Sequence, residues 1–280
     1  MGRPVYFFLH VPKCAGTTVE QHFAAALGDG FLIAPRWESV RRNFIGNRYD
    51  FAPGALDRVA VVSGHSLSTS LRRHLPGREV REVLLIREPL SWFLSFYNYR
   101  LWRQREWGEP APPRFATWYR GQRTNPISRF ILNRYFEVGY PEILTLSSQT
   151  RLRRLNRDLA RFHFVGDLRF AGEVIAAASA ELGLPAEVTP RNVGAGPTLR
   201  AEDLPQDLRA RIARENAVDA ALHRLWSERR FAEGAPDGTA EAEAALPAGD
   251  QLSYTLRDAV GTAIKKLSRH PALHTASDER

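Results

Sequence analysis

The chain contains one cysteine, Cys14, and one methionine, Met1, so no intrachain disulfide can form and nothing argues for an oxidising compartment. No apolar run approaches the roughly 20 residues of a membrane-spanning helix. The early run "VYFFLHV" is short and has no small-residue cleavage site after it, so neither a leader peptide nor a membrane span is expected, and the expected location is cytoplasmic. No internal repeat is present. Acidic side chains are the minority, 31 Asp and Glu against 39 Lys and Arg, and the formal net charge of +8 favours an anionic partner. That partner could be a nucleic acid, a membrane surface, an acidic polymer or a polyanionic nucleotide. The basic residues are scattered and no RNA- or DNA-reading motif accompanies them, so nucleic acid is not the expected partner. No residue pattern specifies an oligomeric state.

Three apolar runs share one design. "VYFFL" (Val5 to Leu9) ends at His10, "VAVV" (Val59 to Val62) ends at Ser63, Gly64 and His65, and "VLLI" (Val83 to Ile86) ends at Arg87. Each is short, continuous rather than alternating, and followed by polar chemistry, as expected of parallel strands buried on both faces. "FHFVG" (Phe162 to Gly166) is a fourth candidate strand. The expected fold is therefore α/β, a central and mainly parallel sheet flanked by helices, with ligands at the carboxyl ends of its strands.

The helical segments are also legible. Thr18 to Leu27 follows the first strand, with Thr17 or Thr18 as N-cap and Glu20 in the first turn. Pro89 stands where a first-turn proline belongs, and the helix after it places Leu90, Phe93, Leu94, Tyr97 and Leu101 on one face and Ser91, Ser95 and Asn98 on another. "AGEVIAAASAELGLP" reads as a helix stopped by Gly183 and Pro185, and "QDLRARIARENAVDAALHRLW" as one long amphipathic helix. These segments make residues 1–232 one domain. Residues 233–251, rich in Ala, Gly, Pro and acid, read as a flexible linker. Residues 252–280 read as a C-terminal amphipathic helix and tail, whose mixed polar face suits docking better than membrane anchoring.

Two stretches carry candidate chemistry. In "HVPKCAGTT", Lys13, a small-residue turn through Ala15 and Gly16, and the hydroxyls of Thr17 and Thr18 open a helix after a buried strand. An ammonium, backbone N–H groups, hydroxyl donors and a helix N-terminus together form an anion cradle. The order is the reverse of a Walker A element, in which the glycines come first and the lysine last. In "LLIREPLSWFLSFYNYR", Arg87 leaves a strand end and Ser95 lies two helical turns beyond it, a guanidinium and a hydroxyl suited to phosphate.

These two stretches resemble the 5′-phosphosulfate loop and the 3′-phosphate segment of carbohydrate sulfotransferases of the heparan-sulfate 2-O-sulfotransferase type, including the eight-residue step from Arg87 to Ser95. Fainter echoes in "VVSGHS", "TNPISRFIL", "FHFVGDLRF", "PRNVG" and "RENAVDAALHRLW" extend the likeness over about residues 5–230. The resemblance implies a P-loop-like sulfotransferase fold and transfer of the sulfuryl group from 3′-phosphoadenosine 5′-phosphosulfate (PAPS) to a hydroxyl of a carbohydrate or glycolipid-like acceptor. No metal is implied. Lys13, Ala15, Gly16, Thr17 and Thr18 would hold the 5′-phosphosulfate, Arg87 and Ser95 the 3′-phosphate, and Arg191 with Asn192 would touch the nucleotide. Lys13 and His65 would be the catalytic pair, His65 as base and Lys13 at the leaving phosphate, while His10 is expected to be structural. Glu88 stands where the family has aspartate, Ser91-Trp92 replaces a Glu-Arg pair, and Cys14 fills a position usually small or hydroxylated.

For the acceptor, the stretch from Arg103 to Tyr135 mixes Trp107, Trp118 and Tyr119 with Arg114, Arg120, Arg123, Arg129 and Arg134, which suits either a sugar surface or half-buried helices. The alternative functions are a nucleotide-dependent phosphotransferase, which would want a P-loop and magnesium carboxylates, and a basic non-catalytic nucleic-acid binder.

Overall fold

The computed structural model describes residues 3–35, 41–43, 46–185, 198–228, 231 and 234–246. Arg191, Asn192 and the expected helix and tail at 252–280 lie outside the described residues. The strands are β1 (Val5–Leu9), β2 (Phe31–Ile33), β3 (Arg41–Asn43), β4 (Gly46–Arg48), β5 (Val61–Gly64), β6 (Val80–Ile86) and β7 (Phe164–Asp167). The helices are α1 (Gly16–Leu27), α2 (Pro89–Trp107), α3 (Phe115–Arg120), α4 (Pro126–Phe130), α5 (Tyr140–Thr145), α6 (Ser148–Leu159), α7 (Ala171–Leu182), α8 (Gln206–Glu215), α9 (Ala217–Trp226) and α10 (Thr239–Ala244).

Five strands form one all-parallel sheet in the order β2-β5-β1-β6-β7, flanked by helices, and β3 pairs with β4 as a separate antiparallel hairpin. β1 lies in the middle, and every one of its residues is buried, as its unbroken apolar run requires. From β1 the chain runs out to the edge strand β2, returns to place β5 between β2 and β1, then crosses over to lay β6 on the other side of β1. The topological switch therefore falls between β1 and β6, where open α/β sheets gather ligands at the carboxyl edge.

Strand limits differ from the hydropathy reading for local reasons. β5 begins at Val61 because the Val59 N–H closes a turn onto the Leu56 carbonyl. β6 begins three residues early, at Val80, and includes the buried Glu82, which Arg72 pairs at 3.1 Å and the Tyr135 hydroxyl meets at 2.9 Å. β7 starts at Phe164 because the Phe162 N–H closes a turn onto Leu159. Neither β2 nor the β3–β4 hairpin was expected; at three residues each, these strands are too short to show a period.

The long helix is two helices, broken at Asn216. The Asn216 side chain accepts from the Asn125 N–H at 2.7 Å and donates to the Tyr119 hydroxyl at 3.0 Å and the Ile212 carbonyl at 2.8 Å. Ile212, Leu222 and Trp226 are buried as expected, with Leu208 and Leu225 half-buried. Within the expected linker, Thr239–Ala244 forms α10, which packs on α6 and α9 with Ala242 and Leu246 buried. Among the described residues no helix is long and apolar enough to cross a membrane.

Candidate functional site at the carboxyl edge of β1, β5 and β6

The turn after β1 is held from three directions. The Trp92 indole N–H donates to the Pro12 carbonyl at 2.7 Å, an Arg87 Nη1–H donates to the Lys13 carbonyl at 3.2 Å, and a His65 ring nitrogen meets the His10 carbonyl at 2.7 Å. Arg87 and His65, which follow β6 and β5, thus both bond to the turn after β1 that carries Lys13. Within it Lys13 (φ 66) and Ala15 (φ 63) adopt left-handed backbone with Cys14 between them, an alternation that forms anion-binding nests. Ala15 is the N-cap of α1 and supplies no side-chain cap. Thr17 and Thr18 are therefore first-turn residues and not the N-cap, because the left-handed Ala15 starts the helix two residues earlier than the hydroxyls suggest. The N–H groups of Gly16 and Thr17 are left without intrahelical partners at the positive end of a 12-residue helix.

Gly16 is required by its neighbour. A Cβ built there would stand 2.0 Å from His10 Cδ2, so the imidazole lies directly on the helix start. His10 Nδ1 is 2.7 Å from Glu20 Oε1, which also accepts from the Ser63 hydroxyl at 3.1 Å. Burial pushes the Glu20 carboxyl up, but the His10 hydrogen bond and charge and the Ser63 hydroxyl outweigh it, leaving a net lowering. Cys14 is buried, and burial pushes its thiol pKa up, which makes it a packing residue.

On the β6 side, the Glu88 carboxylate caps α2 by accepting from Leu90 N at 2.9 Å and Ser91 N at 2.7 Å, with Pro89 in the first turn. Glutamate thus supports this loop, and the Trp92 indole ties it to the first. Arg87 and Lys13 are half-buried, and neither has a carboxylate within ion-pair distance among the described residues. Burial pushes both pKa values below their ordinary range, and for Lys13 the Arg87 charge adds to the push. The Lys13 ammonium rests over the Tyr99 ring, 4.2 Å from its centroid. Ser95, half-buried, lies on α2 one turn before Tyr99.

His65 has an assignable tautomer. A carbonyl can only accept, so Nδ1 carries the proton and donates to His10 O, which leaves the Nε2 lone pair free in the neutral ring. The ring packs 4.0 Å from that of His10 and edge-on to Phe130, while the residue keeps a solvent-exposed side. Burial lowers the His65 pKa, and the charge of His10 lowers it further, against the opposing pull of the carbonyl and Glu20.

Thr17 is exposed and Thr18 half-buried on the first turn of α1, beside Lys13, Ala15 and Gly16. In the arginine- and aromatic-rich stretch, Trp118 and Tyr119 are buried against Phe93 and Phe115, Arg129 is buried, and Arg114, Arg120 and Arg123 are exposed. Trp107 is 58% exposed. His10, Glu20, Ser63, Trp92 and Tyr99 join the site without having been singled out for it; their only sequence signal is position, on or just after strands and helices that carry the two motifs. No protein-family model matches the chain, and no curated protein matches it.

Proposed function

We propose that the chain is a PAPS-dependent sulfotransferase that transfers the sulfuryl group to a hydroxyl of a carbohydrate or glycolipid-like acceptor and releases 3′-phosphoadenosine 5′-phosphate (PAP). One observation carries this reading: Lys13 and Arg87, 74 positions apart, meet at the switch-point edge with no carboxylate partner among the described residues. Two desolvated cations beside an open helix N-terminus are costly unless an anion neutralises them. A nucleotide with phosphate at both its 5′ and 3′ positions supplies an anion for each. The likeness of the two motifs to sulfotransferase loops supports the same assignment.

Lys13, with the N–H groups of Gly16 and Thr17 and the Thr17 and Thr18 hydroxyls, would bind the 5′-phosphosulfate, and Arg87 with Ser95 the 3′-phosphate. Arg191 would contribute from the segment outside the described residues. His65 Nε2 would take the acceptor hydroxyl proton as the oxygen bonds to sulfur, while the sulfur–oxygen bond to the nucleotide phosphate breaks. Lys13 would stabilise the negative charge that collects on that leaving oxygen. Because His65 is neutral at pH 7 and its Nδ1 proton is held by a carbonyl, the ring is ready to act as base with no prior proton loss.

Calorimetry with PAP tests the donor site. Wild-type protein binds PAP, and Arg87→Ala weakens binding by about tenfold or more, ~1.4 kcal/mol. Binding of magnesium ATP without binding of PAP overturns the reading in favour of a phosphotransferase. Turnover of labelled PAPS with an acceptor panel is lost in His65→Ala while PAP binding remains; retained turnover removes His65 from its role.

A further inference from the structure

We propose that an aromatic row on the outer turns of α2, formed by Tyr99, Trp102 and Trp107 and edged by Arg103, is the platform on which a saccharide acceptor lies. The inference rests on the sulfotransferase reading for the position of the transferred group. Tyr99 and Trp102 stack at 5.7 Å and 20°, and Trp107 meets Trp102 edge-on at 4.9 Å. The Arg103 guanidinium lies over Tyr99 at 5.7 Å and over Trp107 at 5.1 Å, so it bridges the row from one side.

The row is connected to the site at one point. Lys13, which would sit at the leaving oxygen of the sulfuryl group, rests on Tyr99. Arg87 and Ser95, assigned to the nucleoside end, belong to the loop and early turns of α2, so Trp102 and Trp107 extend away from the nucleoside. From Ser95 to Trp102 the helix rises about 10 Å, the scale of one to two sugar rings.

Burial separates this row from the other aromatic residues nearby. Trp92, Tyr97, Trp118 and Tyr119 are buried, whereas Trp107 is 58% exposed and Tyr99 and Trp102 are half-buried. A pyranose ring presents an apolar C–H face to such rings and hydroxyls to a flanking guanidinium. Arg100 at 3.3 Å and Arg103 share the single carboxylate of Glu109, so the rim keeps surplus positive charge for acidic substituents on the sugar.

The test titrates full-length protein with a hyaluronan tetrasaccharide and with maltotetraose by calorimetry, and separately with PAP. Trp107→Ala removes an exposed ring and leaves the core intact, and Trp102→Ala is the second variant. The expected result is tetrasaccharide binding to wild type, tighter for the acidic probe, that weakens about tenfold in either variant while PAP affinity changes by less than about twofold. The proposal is overturned if neither tetrasaccharide binds wild type, if binding is unchanged in the variants, or if PAP affinity falls instead, which would assign the row to the nucleotide base. Variant-sensitive saccharide binding by a protein that does not bind PAP would sustain the platform and sink the donor reading alone.

Discussion

A methyl group on Gly16 would stand 2.0 Å from the His10 ring, and that ring is hydrogen-bonded to Glu20, packed at a tilt against His65 and part of the residue whose carbonyl orients His65. Gly16→Ala is therefore expected to displace His10 and with it His65, the proposed base, lowering turnover by about tenfold or more, with little change in far-UV circular dichroism because Gly16 already has helical backbone. Normal turnover in this variant would show that the two imidazoles act independently of the helix start. The pH profile makes a second expectation. Burial holds the His65 pKa below its ordinary 6.5, so the free base persists as pH falls through that value. The rate should therefore decline on acidification with a midpoint below 6.5. A decline centred above 6.5 would contradict the assigned environment. At this scale the chemistry-bearing residue types were legible from the chain, whereas the partnership of His10 with Glu20 and Ser63 was not, since only the pairing of β5 with β1 brings Ser63 to that carboxylate.

Helices α4 and α9 cap one another. The Asp219 carboxylate accepts from Ile127 N and Ser128 N at 2.8 Å each, and the Asn125 side chain, on left-handed backbone, accepts from Val218 N at 3.0 Å and Asp219 N at 3.1 Å. Each side chain closes the open N-terminus of the other's helix, and both are buried. The motif echoes "TNPISRF" and "RENAVDAAL" thus meet in a structural interlock. Asp219→Ala removes two buried acceptors and should cost about 2 kcal/mol, seen as a lower urea midpoint at unchanged slope. An unaltered midpoint would mean that the freed N–H groups find other acceptors. The amphipathic period ran unbroken through Asn216, so the division of α8 from α9 was not legible. It depends on hydrogen bonds to residues about ninety positions away.

At the scale of the whole molecule, α10 closes the fold against α6 and α9. Leu246 and Ala242 are buried, and Glu243 meets Arg153 at 3.1 Å. A chain ending at residue 233 is expected to lose about 2 kcal/mol relative to one ending at 246, lowering Tm by roughly 4 °C. Equal Tm values would mean that this helix adds no net stability. Continuous apolar runs ending in polar residues determined the α/β class and the parallel sheet, because a strand covered on both faces must be apolar at every position. The two motif stretches were likewise legible as strand-to-helix turns, since local backbone and side-chain types make each one. The strand order, which sets β1 between β5 and β6, came from tertiary structure alone, as did the meeting of Lys13, His65 and Arg87. Such long-range pairing depends on which faces bury together, and no window of neighbouring residues contains that information.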